Sequence, residues 1–276
     1  MESLDDFYSL MAKAQSLTKE AKYDESLIVY NNILDKYLAT NDDSIIKYLP
    51  FTLYNKALIF AHKKEYEKEL EVYNELLSRF ISNVSQDSEI IFAKAYMNKA
   101  ICIQELKQEQ ESLAVYKEFV QNFKSSLDEE VQKNLVQAKY NIAFLLANDE
   151  KIKESIEAYD SVINSFSKSE KNYILEFVAK SLINKGNKYK ELYDYDKALL
   201  CFDKVINEYS QFQKQVVIAY HNKATVLAEL QREKAMKKVC DELIEKFGNT
   251  NDEFIMNIVS SAQVLKDKDT FNKNCF

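Results

Sequence analysis

Glycine and proline are almost missing from this sequence, whose 276 residues contain two Gly, one Pro and no Trp. Turns depend on Gly and Pro, and helix interiors disfavour both, so their scarcity favours helix nearly everywhere. A surplus of basic charge is missing too, because the formal net charge is -7. Nucleic acids and anionic membranes attract basic surfaces, so we expect neither as a partner.

Metal-site spacing is also absent from the cysteines and histidines. These residues are Cys102, Cys201, Cys240, Cys275, His62 and His221. No pair of cysteines forms a CxxC motif, so we expect reduced, packed thiols. The sequence also lacks a phosphate-binding loop, a dinucleotide fingerprint and a nucleophile elbow. We therefore expect no metal, no cofactor and no enzymatic activity.

Long apolar runs are lacking as well, since none approaches the about 18 residues of a membrane-spanning helix. Residues 1–7 are acidic and amphipathic, unlike a secretory signal peptide. The cytoplasm is therefore the expected location.

What the chain does contain is a repeated pattern. Aligned Asn residues are separated by steps of 43, 43, 43 and 38; they are Asn55, Asn98, Asn141, Asn184 and Asn222. Aligned aromatic residues are 43 residues apart throughout; they are Tyr30, Tyr73, Tyr116, Tyr159 and Phe202. A fixed period of this size is typical of a repeat array.

Each period contains two stretches with apolar residues at helical spacing, which predicts six helix pairs in a single domain covering 1–266. The expected pairs are 3–37, 44–82, 87–124, 127–167, 170–210 and 213–247. Gly248 is expected to end the last pair in the left-handed conformation. A capping helix is expected at 252–266, with Phe254, Ile258, Ala262 and Leu265 on its apolar face, before a flexible tail at 267–276.

Signals for the start of a helix occur in the second pair. Asp43 or Ser44 is the expected N-cap. Pro50 is expected in the first turn of the main helix, or at a kink in a longer helix that begins at Ser44.

The pattern of large and small residues resembles the tetratricopeptide repeat over about residues 3–247. The matching positions include Tyr96, Ala100, Ile103 and Tyr116, and also Leu182, Gly186, Tyr189, Tyr195, Ala198, Phe202 and Val205. This resemblance implies an all-α solenoid of about six antiparallel helix pairs, wound as a right-handed superhelix and closed by the capping helix. It also implies a concave groove lined by the first helix of each pair.

Two departures from this repeat are visible. The period is 43 rather than the usual about 34 residues. The additional residues include an apolar pattern, as in Leu127, Val131 and Leu135, so we expect longer first helices rather than longer loops. Lys also replaces the usual Leu beside the small residue, at Lys56, Lys99, Lys185 and Lys223.

The resemblance places the aligned Asn side chains in the concave groove, where an amide both donates to and accepts from a peptide main chain. The candidate peptide-binding residues are Asn55, Lys94, Asn98, Gln137, Asn141, Lys180, Asn184 and Asn222. Further candidates beside them are Tyr54, Met97, Tyr140, His221, Asn187 and Lys190. The Lys and Asn positions resemble the carboxylate clamp of tetratricopeptide co-chaperones, so a terminal carboxylate is one ligand to consider.

Two alternatives remain open. The Asn side chains contact a ligand, or they bind the neighbouring helix and fix the register of the stack. Likewise, the chain is a non-enzymatic module that binds a peptide or protein segment, or it is an assembly scaffold that self-associates as a homo-oligomer or serves as a fixed subunit of a larger complex.

Overall fold

A computed structural model of the chain describes residues 4–84, 88–149 and 151–273. Helices joined by short turns make up these residues, and no strand occurs among them. The chain divides into two compact units, Met1–Ala138 and Lys139–Phe276, with the division inside one helix.

Among its described residues, the first unit contains seven α-helices, a short 3-10 helix at Ile81–Asn83 and the start of an eighth α-helix. Their bounds are α1 Leu4–Lys19, α2 Tyr23–Tyr37, α3 Asp43–Ile46, α4 Leu49–Lys63, α5 Tyr66–Phe80, α6 Glu89–Glu105, α7 Glu109–Phe123 and α8 Glu129–Asn148. The pairs are α1 with α2, α4 with α5, and α6 with α7. Successive pairs are packed through the contacts of α2 with α4, α5 with α6, and α4 with α6.

The described part of the second unit contains the rest of α8 and six more helices. Their bounds are α9 Ile152–Phe166, α10 Asn172–Glu191, α11 Tyr195–Glu208, α12 Gln213–Glu229, α13 Glu233–Phe247 and α14 Glu253–Lys273. Here α10 packs on α9 and α11, α12 packs on α11 and α13, and α14 covers α12 and α13. The predicted all-α fold of consecutive helix pairs is thus confirmed.

Two of the first helices are long, as the extra residues in each period predict, but α4 contains 15 residues like its partner α5. Helices α8 and α10 each contain 20 residues, whereas α9 contains 15. Val131 and Leu135 are buried, as expected, but Leu127 precedes α8 and is 96% exposed. Leu127 was therefore wrongly included in the apolar face.

Small residues stand where the two helices of a pair touch. Ala57 and Ala100 are completely buried in the first unit. In the second unit, a Cβ added to Gly186 of α10 would lie 2.6 Å from the ring of Phe202 in α11. The close approach of the two backbones therefore depends on the small residue.

The start of the second pair differs slightly from the prediction. Asp42, rather than Asp43 or Ser44, caps α3, and its carboxylate accepts from the Ser44 backbone N–H at 2.9 Å. Pro50 lies in the first turn of α4, where its missing N–H leaves no helical bond unmade. The continuous kinked helix is not formed, since α3 ends at Ile46.

Five of the tight turns within the pairs, in the residues that the structure describes, use a left-handed residue that is not glycine. These residues are Ala21, Lys64, Lys107, Tyr193 and Gln231, with φ between 55° and 59°. In each turn the next N–H bonds back to a carbonyl five residues earlier, as Glu65 does to Phe60 at 2.9 Å. This is a Schellman arrangement, which satisfies carbonyls at the helix end and offsets the strain of the left-handed residue.

Replacing Lys107 by glycine is expected to stabilise the chain by about 0.5–1 kcal/mol, because glycine adopts the left-handed conformation without strain. Urea unfolding followed by circular dichroism measures the change. Lys117→Gly, at an exposed position inside α7, is the matched control and should destabilise by about 1 kcal/mol. A loss of stability in both variants would contradict the expectation.

Gly248 does not adopt the predicted left-handed conformation. Its φ of -64° and ψ of -22° are right-handed, and its N–H bonds to the Ile244 carbonyl oxygen at 2.7 Å. A Cβ there would lie 2.5 Å from the same oxygen. Glycine thus permits a close approach to the helix end rather than a positive φ.

The capping helix is longer than predicted. Helix α14 runs to Lys273, so residues 267–273 are helical rather than part of a flexible tail, while 274–276 lie outside the described residues. Ile255 and Ala262 are its buried contacts, whereas Phe254 is 44% exposed. Neither Gly nor Pro follows Asp252 to stop the helix earlier.

Candidate functional site: the asparagine residues and the first-helix cleft

Asn98 lies at the centre of a polar contact between helix pairs of the first unit. Its amide nitrogen donates to the hydroxyls of Tyr54 in α4, at 3.1 Å, and Tyr73 in α5, at 3.2 Å. Asn55 of α4 is hydrogen-bonded in the same way to Tyr30 of α2. The Asn98–Tyr73 and Asn55–Tyr30 contacts each join a first helix to a tyrosine 25 residues earlier, in the second helix of the preceding pair.

Asn184 makes the corresponding contacts in the second unit. Its amide nitrogen donates to the Tyr140 hydroxyl at 2.9 Å, and it is also hydrogen-bonded to Tyr159. Phe202 takes the place of the tyrosine in the next pair and has no hydroxyl. Asn222 instead donates to the Asn187 side-chain oxygen at 2.9 Å.

Burial keeps these tyrosine hydroxyls neutral. Burial raises the pKa of Tyr73 in the first unit and of Tyr159 in the second, while the hydrogen bond from the neighbouring Asn partly opposes the rise. A neutral hydroxyl accepts from the amide and keeps its own proton to donate. These bonds are of the kind expected if the Asn side chains fix the stack; ligand contact stays a prediction.

The lysine after the aligned Asn joins the same helices through ion pairs in the second unit. Lys185 Nζ lies 2.5 Å from an Asp160 oxygen, and Lys223 Nζ lies 2.6 Å from an Asp203 oxygen. Each Asp directly follows the aligned aromatic residue. This contact gives Lys185 and Lys223 an acidic partner at the position where the tetratricopeptide repeat usually has Leu.

The other predicted site residues are half-buried. In the first unit these are Lys94 and Gln137, and in the second they are Asn141 and Lys180. Lys180 Nζ is 2.8 Å from a Glu176 oxygen and 5.0 Å from the centre of the Phe177 ring. An anionic ligand at Lys180 would therefore compete with Glu176.

Two adjoining cavities of about 660 and 180 Å³ lie in the second unit and share Asn187 and Glu191. We call them together the first-helix cleft, because α8, α10 and α12 supply most of the lining. The lining residues are Phe144, Ala147, Asn148, Tyr159, Asn184, Asn187, Lys188, Lys190, Glu191, Tyr193 and Glu229. Of the residues predicted for the groove, the cleft brings together Asn184, Asn187 and Lys190.

Charges in the first-helix cleft are already paired. Lys190 Nζ lies 2.8 Å from a Glu229 oxygen, which links α10 to α12, and Lys188 Nζ lies 2.9 Å from a Glu191 oxygen. A highly charged ligand would have to break these pairs. The cleft therefore suits a ligand recognised mainly through neutral polar and apolar groups.

Exposed aromatic rings in the cleft were missed from the sequence. Phe144 is 46% exposed, and Tyr193, in the left-handed turn after α10, is 79% exposed. Phe144 lies three residues after the aligned Asn141, which places it one helical turn along the same face. That spacing was the available signal, but the repeat pattern favoured core positions for aromatic residues.

The histidines and cysteines lie at separate places. His62 stacks on Tyr23 with a centroid distance of 5.6 Å, and burial lowers the pKa of His221, whose Nε2 is 2.9 Å from Ser261 Oγ. Cys102, Cys201 and Cys240 are buried free thiols, while Cys275 lies outside the described residues.

Residues 4–84, 88–149 and 151–273 contain no cluster suited to hold a metal ion. Within the same ranges, no helix is long and apolar enough to span a membrane.

No profile of a protein family and no curated protein matches this chain. Solved structures do resemble it. The apo form of RapI has a TM-score of 0.65 with 15% identity, covering 95% of this chain and 81% of that one. A tetratricopeptide repeat protein from Parabacteroides merdae has a TM-score of 0.56 with 13% identity, covering 98% and 97%. The apo form of the quorum sensor NprR from B. thuringiensis has a TM-score of 0.59 with 13% identity, covering 95% and 70%. The chain thus has a fold like that of tetratricopeptide repeat proteins.

Proposed function

We propose that this chain is a non-enzymatic interaction module whose first-helix cleft binds a peptide or an extended segment of another protein. The observation that carries the proposal is the combination of exposed aromatic rings and amide groups in one open cleft. Pockets that bind ligands are typically lined by apolar side chains with a few polar groups that fix orientation. The likeness to repeat folds that serve as interaction surfaces supports the same conclusion.

The amides would bind the peptide main chain. Asn184 uses its amide nitrogen toward Tyr140 and is also bonded to Tyr159, which leaves its oxygen as an acceptor, whereas Asn187 uses its oxygen toward Asn222, which leaves its nitrogen as a donor. An amide that is already held in place loses little rotational freedom when it binds, which lowers the cost of association. Main-chain contacts of this kind favour an extended segment.

The aromatic rings would supply apolar contact. Phe144 and Tyr193 expose rings at the two cavities, and such side chains dominate the energetics of many interfaces. The paired charges of Lys190 and Glu229 would remain intact around a neutral, apolar ligand side chain. We therefore propose a segment with at least one large apolar residue.

The double variant Phe144→Ser/Tyr193→Asn tests this site. A phage-displayed library of random linear peptides, selected on the wild-type chain, provides the probe. Peptides so selected should bind the double variant at least about tenfold more weakly. Asn is chosen at position 193 because it tolerates the left-handed conformation.

Leu200→Ser is the matched control, because Leu200 is 68% exposed on α11 and does not line the cleft. It should bind the selected peptides like the wild-type chain, and circular dichroism should show that every variant is folded at the temperature of the binding assay. Equal binding by the wild type and the double variant would place the peptide site elsewhere. Failure to select any peptide would count against a linear peptide as the ligand.

A further inference from the structure

Glu69 is a buried carboxyl at a position where neighbouring repeats have serine. Ser26 and Ser112 lie 43 residues before and after it. Their hydroxyls donate to carbonyl oxygens in the first helix of the pair, at 2.8 Å to Ala14 and 2.9 Å to Ala100. Glu69 is only 4% exposed, so it brings an ionisable group into a contact that is neutral in those pairs.

The partner of Glu69 lies in the next helix pair. The Cys102 thiol of α6, which is 2% exposed, donates its one proton to the Tyr66 carbonyl oxygen at 3.1 Å, and its sulfur lies in hydrogen-bonding contact with the Glu69 carboxyl. An acid–thiol contact thus joins α5 to α6. A protonated carboxyl fits this contact without charge, whereas a carboxylate would place a charge in a site shielded from water.

The charges around this contact do not favour a carboxylate. The negative charge of Glu105 in α6 raises the pKa of Glu69, and the charges of Glu105 and Glu67 raise the pKa of the Cys102 thiol. The other titratable neighbours on α5 are Tyr66 and Tyr73, whose pKa burial raises. These neighbours therefore supply no positive charge to stabilise ionised Glu69.

Two lysines near the junction of α4 and α5, Lys63 and Lys68, form ion pairs with carboxylates other than Glu69, and Lys64 in the turn is exposed. Lys63 Nζ, at the end of α4, lies 2.5 Å from an Asp24 oxygen and 3.2 Å from a Glu65 oxygen. Lys68 Nζ lies 2.6 Å from the other Glu65 oxygen. Burial, reinforced by Glu105 and opposed by the thiol hydrogen bond, raises the pKa of Glu69 from 4.5 to about 7.

We propose that the contact between α5 and α6 is a proton-linked joint, which packs most firmly while Glu69 is protonated and opens more readily once it ionises. The folded state holds the proton more tightly than the opened state does. The stabilising contribution is therefore fully present below pH 4.5 and is lost as pH rises through about 7. This joint responds to pH changes near neutrality, and it is independent of peptide binding.

Hydrogen exchange of the α5 and α6 amides measures the opening directly. After correction for intrinsic exchange rates, opening in the wild type should rise by up to about 25-fold between about pH 5.5 and about pH 8. Amides of α12 and α13 in the same molecule serve as the reference and should show no such rise. Glu69→Gln keeps the shape of the neutral acid and should abolish the rise.

Glu71→Gln is the matched control, since Glu71 is exposed on the same helix and is not among the charges that act on Glu69 or Cys102, and it should keep the wild-type response. An equal rise in the wild type and Glu69→Gln, or no rise in the wild type, would overturn the proposal. Carbon-13 NMR gives a second test that does not need a well-folded Gln variant. The carboxyl resonance missing from Glu69→Ser should titrate near pH 7 in the wild type, and a midpoint near the ordinary 4.5 would also overturn it.

Discussion

Gly186→Leu is expected to destabilise the chain by at least about 3 kcal/mol, because the new side chain has no space between α10 and α11. Even a Cβ at this position would lie 2.6 and 2.9 Å from two ring carbons of Phe202 and 3.2 Å from Cys201 Cβ. Phe202 is completely buried, so its ring has little room to move. Urea unfolding followed by circular dichroism measures the loss.

A double-mutant cycle assigns the cause of this loss. Phe202→Ala alone should cost about 3–5 kcal/mol through the cavity that it leaves. In Gly186→Leu/Phe202→Ala the leucine occupies that cavity, so the combined loss should be at least about 1 kcal/mol smaller than the sum of the two. Strict additivity would show that the Phe202 ring is not what limits the space at Gly186.

Asn98→Ala is expected to destabilise the chain by about 1–2 kcal/mol. The substitution removes a donor from the Tyr73 hydroxyl, which is completely buried, and the better helix propensity of Ala offsets only a few tenths of this loss. Asn222→Ala is the matched comparison. Its partner Asn187 is only half-buried and can turn to water, so the expected loss is smaller.

Removing the Tyr73 hydroxyl, which has lost its donor in Asn98→Ala, separates a packing effect from a hydrogen-bond effect. The loss of unfolding free energy in the double variant Asn98→Ala/Tyr73→Phe should be smaller than the sum of the losses in the two single variants. If Asn98→Ala leaves the unfolding free energy unchanged, the amide does not hold the stack, and a role in ligand contact gains support. Comparing how tightly Asn98→Ala and the wild type bind the peptides selected on the wild type then tests that role directly.

Regular features of the fold were predictable because they depend on spacing. The period that aligns Tyr30 with Tyr73 also sets the second helices, which begin at Tyr23, Tyr66, Glu109, Ile152 and Tyr195, each 43 residues after the last. Apolar positions at helical spacing define one face of each helix, and the small residues mark the contact within each pair. Pairing then follows from the short turns.

Features that depend on one exact backbone conformation were not predictable from pattern. Gly248 suggested a positive φ, yet Lys64 and Lys107 adopt that conformation and Gly248 does not. Hydrogen bonds across each turn, rather than the identity of the residue, determine the geometry. Leu127 was misassigned for a similar reason, since apolar spacing cannot tell where α8 begins.

The candidate site was predictable in part. Asn184 and Asn187 were expected at a groove and do line the first-helix cleft. The partners of the amides were not foreseen, because a tyrosine that fits the core pattern gives no sign that its hydroxyl accepts a hydrogen bond. Glu69 was not foreseen as a site either, because its difference from Ser26 and Ser112 becomes informative only with the burial of its side chain.

The contacts of Phe202 and Asn187 bear on whether the chain tolerates a tandem duplication of one helix pair. A tandem duplication of the segment encoding α10 and α11 would set a second Asn184 beside Phe202, where Asn187 already serves Asn222 as an acceptor. The duplicated Lys185 would meet Asp203, the partner of Lys223. Both inherited side chains would therefore meet the same groups that Asn222 and Lys223 contact now, so these two polar contacts would need no compensating substitution.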